Sequence, residues 1–167
     1  MGVSVDHGRI IFIHLAKTGG TSIERALTAK FPGRALPLEA VDGFPSFFNS
    51  LPEEARSGIR RPGHAPAWIV RSFLGPEQWA AAESFAVVRN PWDLAYSLYN
   101  FISRNPQHRR HAEVKGMTFN AFVERELAEN GRCQWDLLSE QGELLVKHLL
   151  HFDRLVADFS ALADRLG

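Results

Sequence analysis

Ile10-Ile11-Phe12-Ile13-His14-Leu15-Ala16-Lys17-Thr18-Gly19-Gly20-Thr21-Ser22 is the stretch that decides the fold. Ile10 to Ile13 is continuously apolar and mostly β-branched, the pattern of a strand buried on both faces. A loop with one lysine, two glycines and three hydroxyls follows. Ile23, Ala26, Leu27, Lys30 and Phe31 then fall near one face at helical spacing. The order is strand, loop, helix. Gly19 and Gly20 let the backbone approach a ligand and turn N–H groups toward it. The helix N-terminus adds unpaired N–H groups and partial positive charge, and Lys17 adds a full charge. The loop reads as an anion cradle, with phosphate the expected anion. It is not the nucleoside triphosphate loop G-x-x-x-x-G-K-[ST], because here the lysine precedes the glycines.

With 167 residues, 45% of them hydrophobic, the chain is expected to form a single domain, residues 1–167, with a real core. Lysine plus arginine and aspartate plus glutamate both number 19, a balance that argues against a nucleic-acid coat. Cys133 stands alone, which excludes an internal disulfide and a cysteine-rich metal site. No apolar run approaches a membrane span in length. The first strand begins near Arg9 and leaves no room for a signal peptide, so a chain complete at its start is expected in the cytoplasm.

Along the chain, residues 1–8 are a polar lead. A strand is predicted at about 9–14 and a helix at about 21–30, stopped by Pro32-Gly33. Residues 33–63 are punctuated by prolines and glycines and read as the wall or lid of an acceptor site, with a short helix starting at Pro52. Phe44, Phe47 and Phe48 are expected in the core rather than lining a pocket. Helices follow at 65–73 and 76–82, then a buried strand, Phe85-Ala86-Val87-Val88. Asn90 caps the next helix and Pro91 opens it, with Leu94, Leu98, Phe101 and Ile102 as its core stripe. Thr118 caps a helix with Phe119, Phe122, Val123 and Leu127 on one side, ended by Asn130-Gly131. A strand within 144–152 and a final helix at 155–166, with Phe159, Leu162 and Leu166 inward, complete the α/β pattern of a mainly parallel sheet. Ligands of such sheets sit at the carboxyl ends of strands, where both distinctive motifs lie.

The second motif is Phe85-Ala86-Val87-Val88-Arg89-Asn90-Pro91-Trp92-Asp93, with Ser97 and Tyr99 beyond it. A guanidinium at a strand end can grip a phosphate through two parallel hydrogen bonds. Ser97 lies two helical turns after Asn90 on the same face and can add a hydroxyl. His148 and His151, three residues apart, would share a face in a helix, but no third metal ligand accompanies them. His108-Arg109-Arg110-His111 with Lys115 is a basic cluster, read either as a solvated loop or as a surface for an acidic sugar chain.

His14-Leu15-Ala16-Lys17-Thr18-Gly19-Gly20-Thr21-Ser22 closely resembles the 5′-phosphosulfate loop of sulfotransferases that use 3′-phosphoadenosine 5′-phosphosulfate (PAPS). The Arg89 motif is similar to their 3′-phosphate element, V-R-[ND]-P-x-[DE]-R-x-x-S-x-Y. The wording is nearest to the Golgi-type carbohydrate sulfotransferases and their bacterial relatives. Gly63-His64, and Leu144 through Asp158-Phe159, are similar to that family more softly. The resemblance implies a P-loop, nucleotide-kinase-like three-layer fold. It implies PAPS as co-substrate, no metal, and a hydroxyl or amine acceptor, with carbohydrate the suggested class. Ala16, Lys17, Thr18, Gly19, Gly20, Thr21 and Ser22 would hold the 5′-phosphosulfate, and Arg89 and Ser97 the 3′-phosphate. Lys17 would stabilise the leaving phosphate and His64 would be the general base, with His14 in reserve. Two departures stand out. Leu94 occupies a position where the family usually has arginine, and the sequence ends at Gly167 without the family's further C-terminal segment. They leave room for an inactive relative that binds PAPS or adenosine 3′,5′-bisphosphate. A nucleotide kinase would need the glycine-before-lysine loop and a magnesium-binding acid, and neither is present.

Overall fold

The structure, a computed structural model, describes residues 9–56, 58, 59, 61–130 and 133–167. The polar lead at 1–8 and the Gly131 half of the expected helix stop lie outside the described residues. In chain order the elements are β1 (Ile10–Ile13), α1 (Gly20–Lys30), a 3₁₀ turn (Leu38–Ala40), α2 (Phe44–Ser50), α3 (Glu53–Arg56), a 3₁₀ turn (Pro62–His64), α4 (Ala67–Leu74), α5 (Pro76–Ala81) and β2 (Glu83–Val88). There follow α6 (Pro91–Arg104), α7 (His111–Val114), α8 (Phe119–Asn130), α9 (Gln134–Leu138), β3 (Ser139–Glu140), β4 (Glu143–Leu144), β5 (His148–His151), a 3₁₀ turn (Phe152–Arg154) and α10 (Leu155–Leu166). Two compact units emerge: Met1–Val88 with Gln134–Gly167, and Arg89–Cys133.

The first unit is built on a parallel three-stranded sheet in the order β1-β2-β5. Phe12 stands beside Phe85, and Ala86 beside Leu149. Alternate side chains leave opposite faces. Ile10, Phe12, Phe85, Val87 and Leu150 meet Ile23 and Leu27 of α1 and Leu162 of α10 on one face. Ile11, Ile13 and Ala86 meet Phe44 and Phe48 of α2, Ile69 and Val70 of α4, and Leu138 of α9 on the other. Helices on both faces explain why β1 is apolar throughout rather than alternating. β3 and β4 form a separate antiparallel hairpin. Its two-residue turn has both Gln141 (φ 53°) and Gly142 (φ 83°) left-handed, as such hairpins require.

The segment 33–63 differs from the irregular wall or lid expected of it. Phe44 and Phe48, one helical turn apart, are fully buried as expected of them and Phe47 is partly so, and the helix that carries them, α2, is part of the core. Prolines and glycines flank the short helix and hide its period. On α1 the buried apolar side chains are Ile23 and Leu27, with Phe31 at its C-cap. Ala26 and Lys30 are exposed, because a strict four-residue spacing serves the sheet contact.

The second unit is a small helical cluster. The Asn90 side chain accepts a hydrogen bond from the Trp92 N–H at 2.9 Å and caps α6. Thr118 does the same for the Ala121 N–H at 3.3 Å, ahead of α8. Ile102, Val114 and Phe122 form the core, with Leu98, Tyr99, Phe119 and Val123 against it. Phe101 and Leu127, expected inward, are exposed. Tyr99 takes the place expected of Phe101, and its hydroxyl donates to the Met117 carbonyl at 2.7 Å. The basic cluster is partly structural. Arg110 pairs with Glu126 and with Glu113, and the His111 ring hydrogen-bonds the Ile102 carbonyl at 3.0 Å.

Candidate functional site

The loop between β1 and α1 is pinned from below. Leu15 is buried in the core, and buried Thr18 donates its hydroxyl to the Leu15 carbonyl at 2.8 Å. That hydroxyl shapes the loop instead of facing outward. Ala16, Thr21 and Ser22 are exposed, and Lys17 and Gly19 partly so. Lys17 is left-handed at φ 64°, and so is Gly19 at φ 82°. A lysine held there carries a backbone cost of roughly 1–2 kcal/mol, tolerated where the surrounding structure enforces it. The Gly19 carbonyl accepts from the Ser22 and Ile23 N–H groups at 3.0 and 3.2 Å, which starts α1. The first turn of α1 carries no acidic residue and has no side-chain cap.

The two glycines serve different ends. Gly19 supplies the left-handed cap, and a Cβ there would lie 3.3 Å from Leu155 Cδ2. A Cβ on Gly20 would collide with the imidazole of His14. Gly20 therefore makes room for a histidine, a reason the sequence does not disclose.

His14 is the hub of a polar cluster in the first unit. Its Nδ1 lies 3.0 Å from Glu24 Oε1, and the side chains are 14% and 25% exposed. Glu24 is one turn beyond Gly20, and helical side chains lean back toward the N-terminus. Its carboxylate thus reaches the level where the His14 ring lies. Phe12 stacks on His14 with centroids 5.5 Å apart. His64 closes the cluster: its Nδ1 is 3.0 Å from the His14 carbonyl oxygen, and the two rings meet edge to face at 4.5 Å. Glu39 packs against Gly63, where a Cβ would strike its carboxylate. Burial, and then the neighbouring His64, hold the His14 imidazole below the usual histidine range, against the opposing pull of Glu24 and Glu39.

These contacts fix tautomers. A carbonyl oxygen only accepts, so His64 Nδ1 carries the proton and its neutral ring has the lone pair on Nε2. The same logic applies to His14 facing the Glu24 carboxylate. His64 is half-buried at the end of a 3₁₀ turn, not the cap of a helix. Glu24 and Glu39 were not legible as site residues, although Glu24's place one turn past a loop glycine is a usable signal.

Arg89 and Ser97 belong to the second unit. Arg89 precedes the Asn90 cap, and Ser97 lies on α6, half-buried, seven residues beyond that cap. Leu94, at the position of the family's arginine, is also half-buried. His148 and His151 sit in strand β5, not in a helix, and His148 Nε2 is 2.9 Å from Glu83 Oε2. That hydrogen bond, with Lys147 beside it, holds the Glu83 carboxyl below the usual carboxylate range. Among the described residues no group of three or more histidine, cysteine or acidic side chains is placed to hold a metal, and no helix is long and apolar enough to cross a membrane. A mostly apolar pocket, partly open to solvent, is lined by Ile11, Leu38, Phe44, Val70 and Phe73 among others, and none of residues 14–22 lines it.

Compared with protein-family models, curated proteins and solved structures, the chain matches none of them.

Proposed function

We propose that the chain is a PAPS-dependent sulfotransferase on a P-loop, nucleotide-kinase-like fold, moving a sulfuryl group to an acceptor hydroxyl or amine, with carbohydrate the favoured class. One observation carries the reading. A cationic residue, Lys17, is held left-handed two residues before a left-handed glycine, between a fully buried strand and a helix start that has no acid of its own. Backbone turned this way favours oxyanions. The sequence order, lysine before glycines, favours phosphosulfate over a nucleoside triphosphate.

The assigned roles follow from the chemistry. The acceptor oxygen forms its bond to sulfur as the bond from sulfur to the 5′-phosphate oxygen breaks. The departing phosphate gains negative charge, which Lys17, the loop N–H groups and the Thr21 and Ser22 hydroxyls stabilise. A sulfuryl group carries one negative charge fewer than a transferring phosphoryl group, so less charge needs neutralising. The acceptor proton goes to His64 Nε2, the nitrogen left with a lone pair. Arg89 and Ser97 are assigned the 3′-phosphate by their motif, an arginine just before the Asn90 cap of α6 and a serine seven residues beyond that cap.

Calorimetric titration with adenosine 3′,5′-bisphosphate and, separately, with ATP and magnesium tests the assignment. The bisphosphate should bind and ATP should bind far more weakly. Tighter magnesium-dependent binding of ATP would overturn the reading in favour of a kinase. Bisphosphate binding with no turnover on any acceptor would make the chain an inactive relative.

A further inference from the structure

We propose that Glu24 is a positioning residue which sets the stance of His64 through His14; this rests on the reading of His64 as the base. Glu24 stands on α1, one turn past Gly20. It accepts from His14 Nδ1 at 3.0 Å, across ten residues of chain. His14 in turn engages His64 twice, by its ring at 4.5 Å and by its carbonyl at 3.0 Å. The chain of contacts is carboxylate, imidazole, imidazole, and it ends at the His64 Nε2 lone pair. Gly20 leaves the space in which the middle ring stands. Without the Glu24 carboxylate, the His14 ring keeps only its packing on Phe12 and His64. It can then take the Nε2–H tautomer or rotate, and His64 loses one of its two supports. An orienting carboxylate behind a histidine acts in this way in hydrolytic triads, where the carboxylate fixes a tautomer rather than taking the proton. Here the influence passes through one further ring.

The test compares Glu24→Ala with Glu24→Gln. Long-range proton–nitrogen correlation spectra of labelled protein read each histidine tautomer, and steady-state kinetics with PAPS read its consequence. In the wild type both His14 and His64 should carry hydrogen on Nδ1. Glu24→Ala should move His14 to the Nε2–H form and lower kcat about tenfold or more, as loss of orienting partners does elsewhere, with KM for PAPS unchanged. Glu24→Gln keeps an acceptor and should hold the tautomer and restore most of kcat. An unchanged His14 tautomer in Glu24→Ala overturns the proposal, and so does an unchanged kcat when the tautomer has moved. If the wild type transfers nothing to any acceptor, the sulfotransferase reading fails by itself. The His64 spectrum of Glu24→Ala then still decides the positioning role: a changed tautomer or chemical shift upholds it, and an unchanged one removes it.

Discussion

His64 donates its Nδ1–H to the backbone carbonyl of His14 at 3.0 Å, across fifty residues of sequence. That bond ties the 3₁₀ turn before α4 to the end of β1, and it places two imidazoles side by side. Burial makes the His14 ring resist carrying charge, and the neighbouring His64 adds to that resistance.

The first prediction follows from that resistance. The folded chain holds His14 below its unfolded value, so on acidification the unfolded chain takes up this proton first. The contribution to stability is complete above the unfolded value of about 6.5 and declines as pH falls toward the folded value. His108, depressed by burial and then by Arg109, acts in the same direction. Urea unfolding between about pH 5 and 8 should therefore show stability falling with acid, and His14→Gln should shrink the slope without abolishing it. An undiminished slope would mean that His14 is not held neutral.

Gly20→Ala should destabilise the chain by about 1–3 kcal/mol, the usual penalty for forcing atoms into a filled space. The new methyl meets the His14 ring, which Glu24 and Phe12 hold in place. In a His14→Ala background the space is open, and the same change should cost little. Equal costs in both backgrounds, read by thermal unfolding, would assign Gly20 to backbone freedom instead.

Lys17→Ala and Lys17→Gly separate charge from backbone. Both should lower turnover by about a hundredfold or more through loss of a transition-state charge partner. Lys17→Gly should be the more stable of the two by roughly 1 kcal/mol, since glycine accepts φ 64° without penalty. Near-normal turnover in either folded variant would remove Lys17 from the leaving-group role.

Arg89→Ala should weaken PAPS binding by roughly 1.5–3 kcal/mol, the scale of a charged hydrogen bond, and Ser97→Ala by less. Adenosine 5′-phosphosulfate lacks the 3′-phosphate and should be affected little. Equal losses with both donors would show that Arg89 does not read that phosphate.

Local pattern made the frame of the fold legible. The apolar run Ile10–Ile13, the Asn90-Pro91 cap and the Thr118 cap each act within a few residues, and all stand where expected. The parallel sheet flanked by helices follows from that order of elements. α2 was not legible, because Gly43 and Pro45 crowd its start and its aromatic pair gives only one turn of period. The face of α6 was legible in part: Leu98 and Ile102 point inward as expected, but between Tyr99 and Phe101 the distant Met117 carbonyl, which takes the Tyr99 hydroxyl, decides. Within the site, the loop and its lysine could be read directly. Glu24, Glu39 and the purpose of Gly20 could not, because their partners lie far along the chain and meet only after folding.

The most direct measurement is transfer of radiolabelled sulfate from PAPS to a panel of glycans, lipids and small alcohols, run with the wild type and with His64→Ala. The account predicts label on at least one hydroxyl or amine acceptor with the wild type. It also predicts a loss of most turnover in His64→Ala while adenosine 3′,5′-bisphosphate still binds normally. Transfer at the wild-type rate by His64→Ala would contradict the assigned base, and failure of the wild type to bind PAPS at all would contradict the account at its centre.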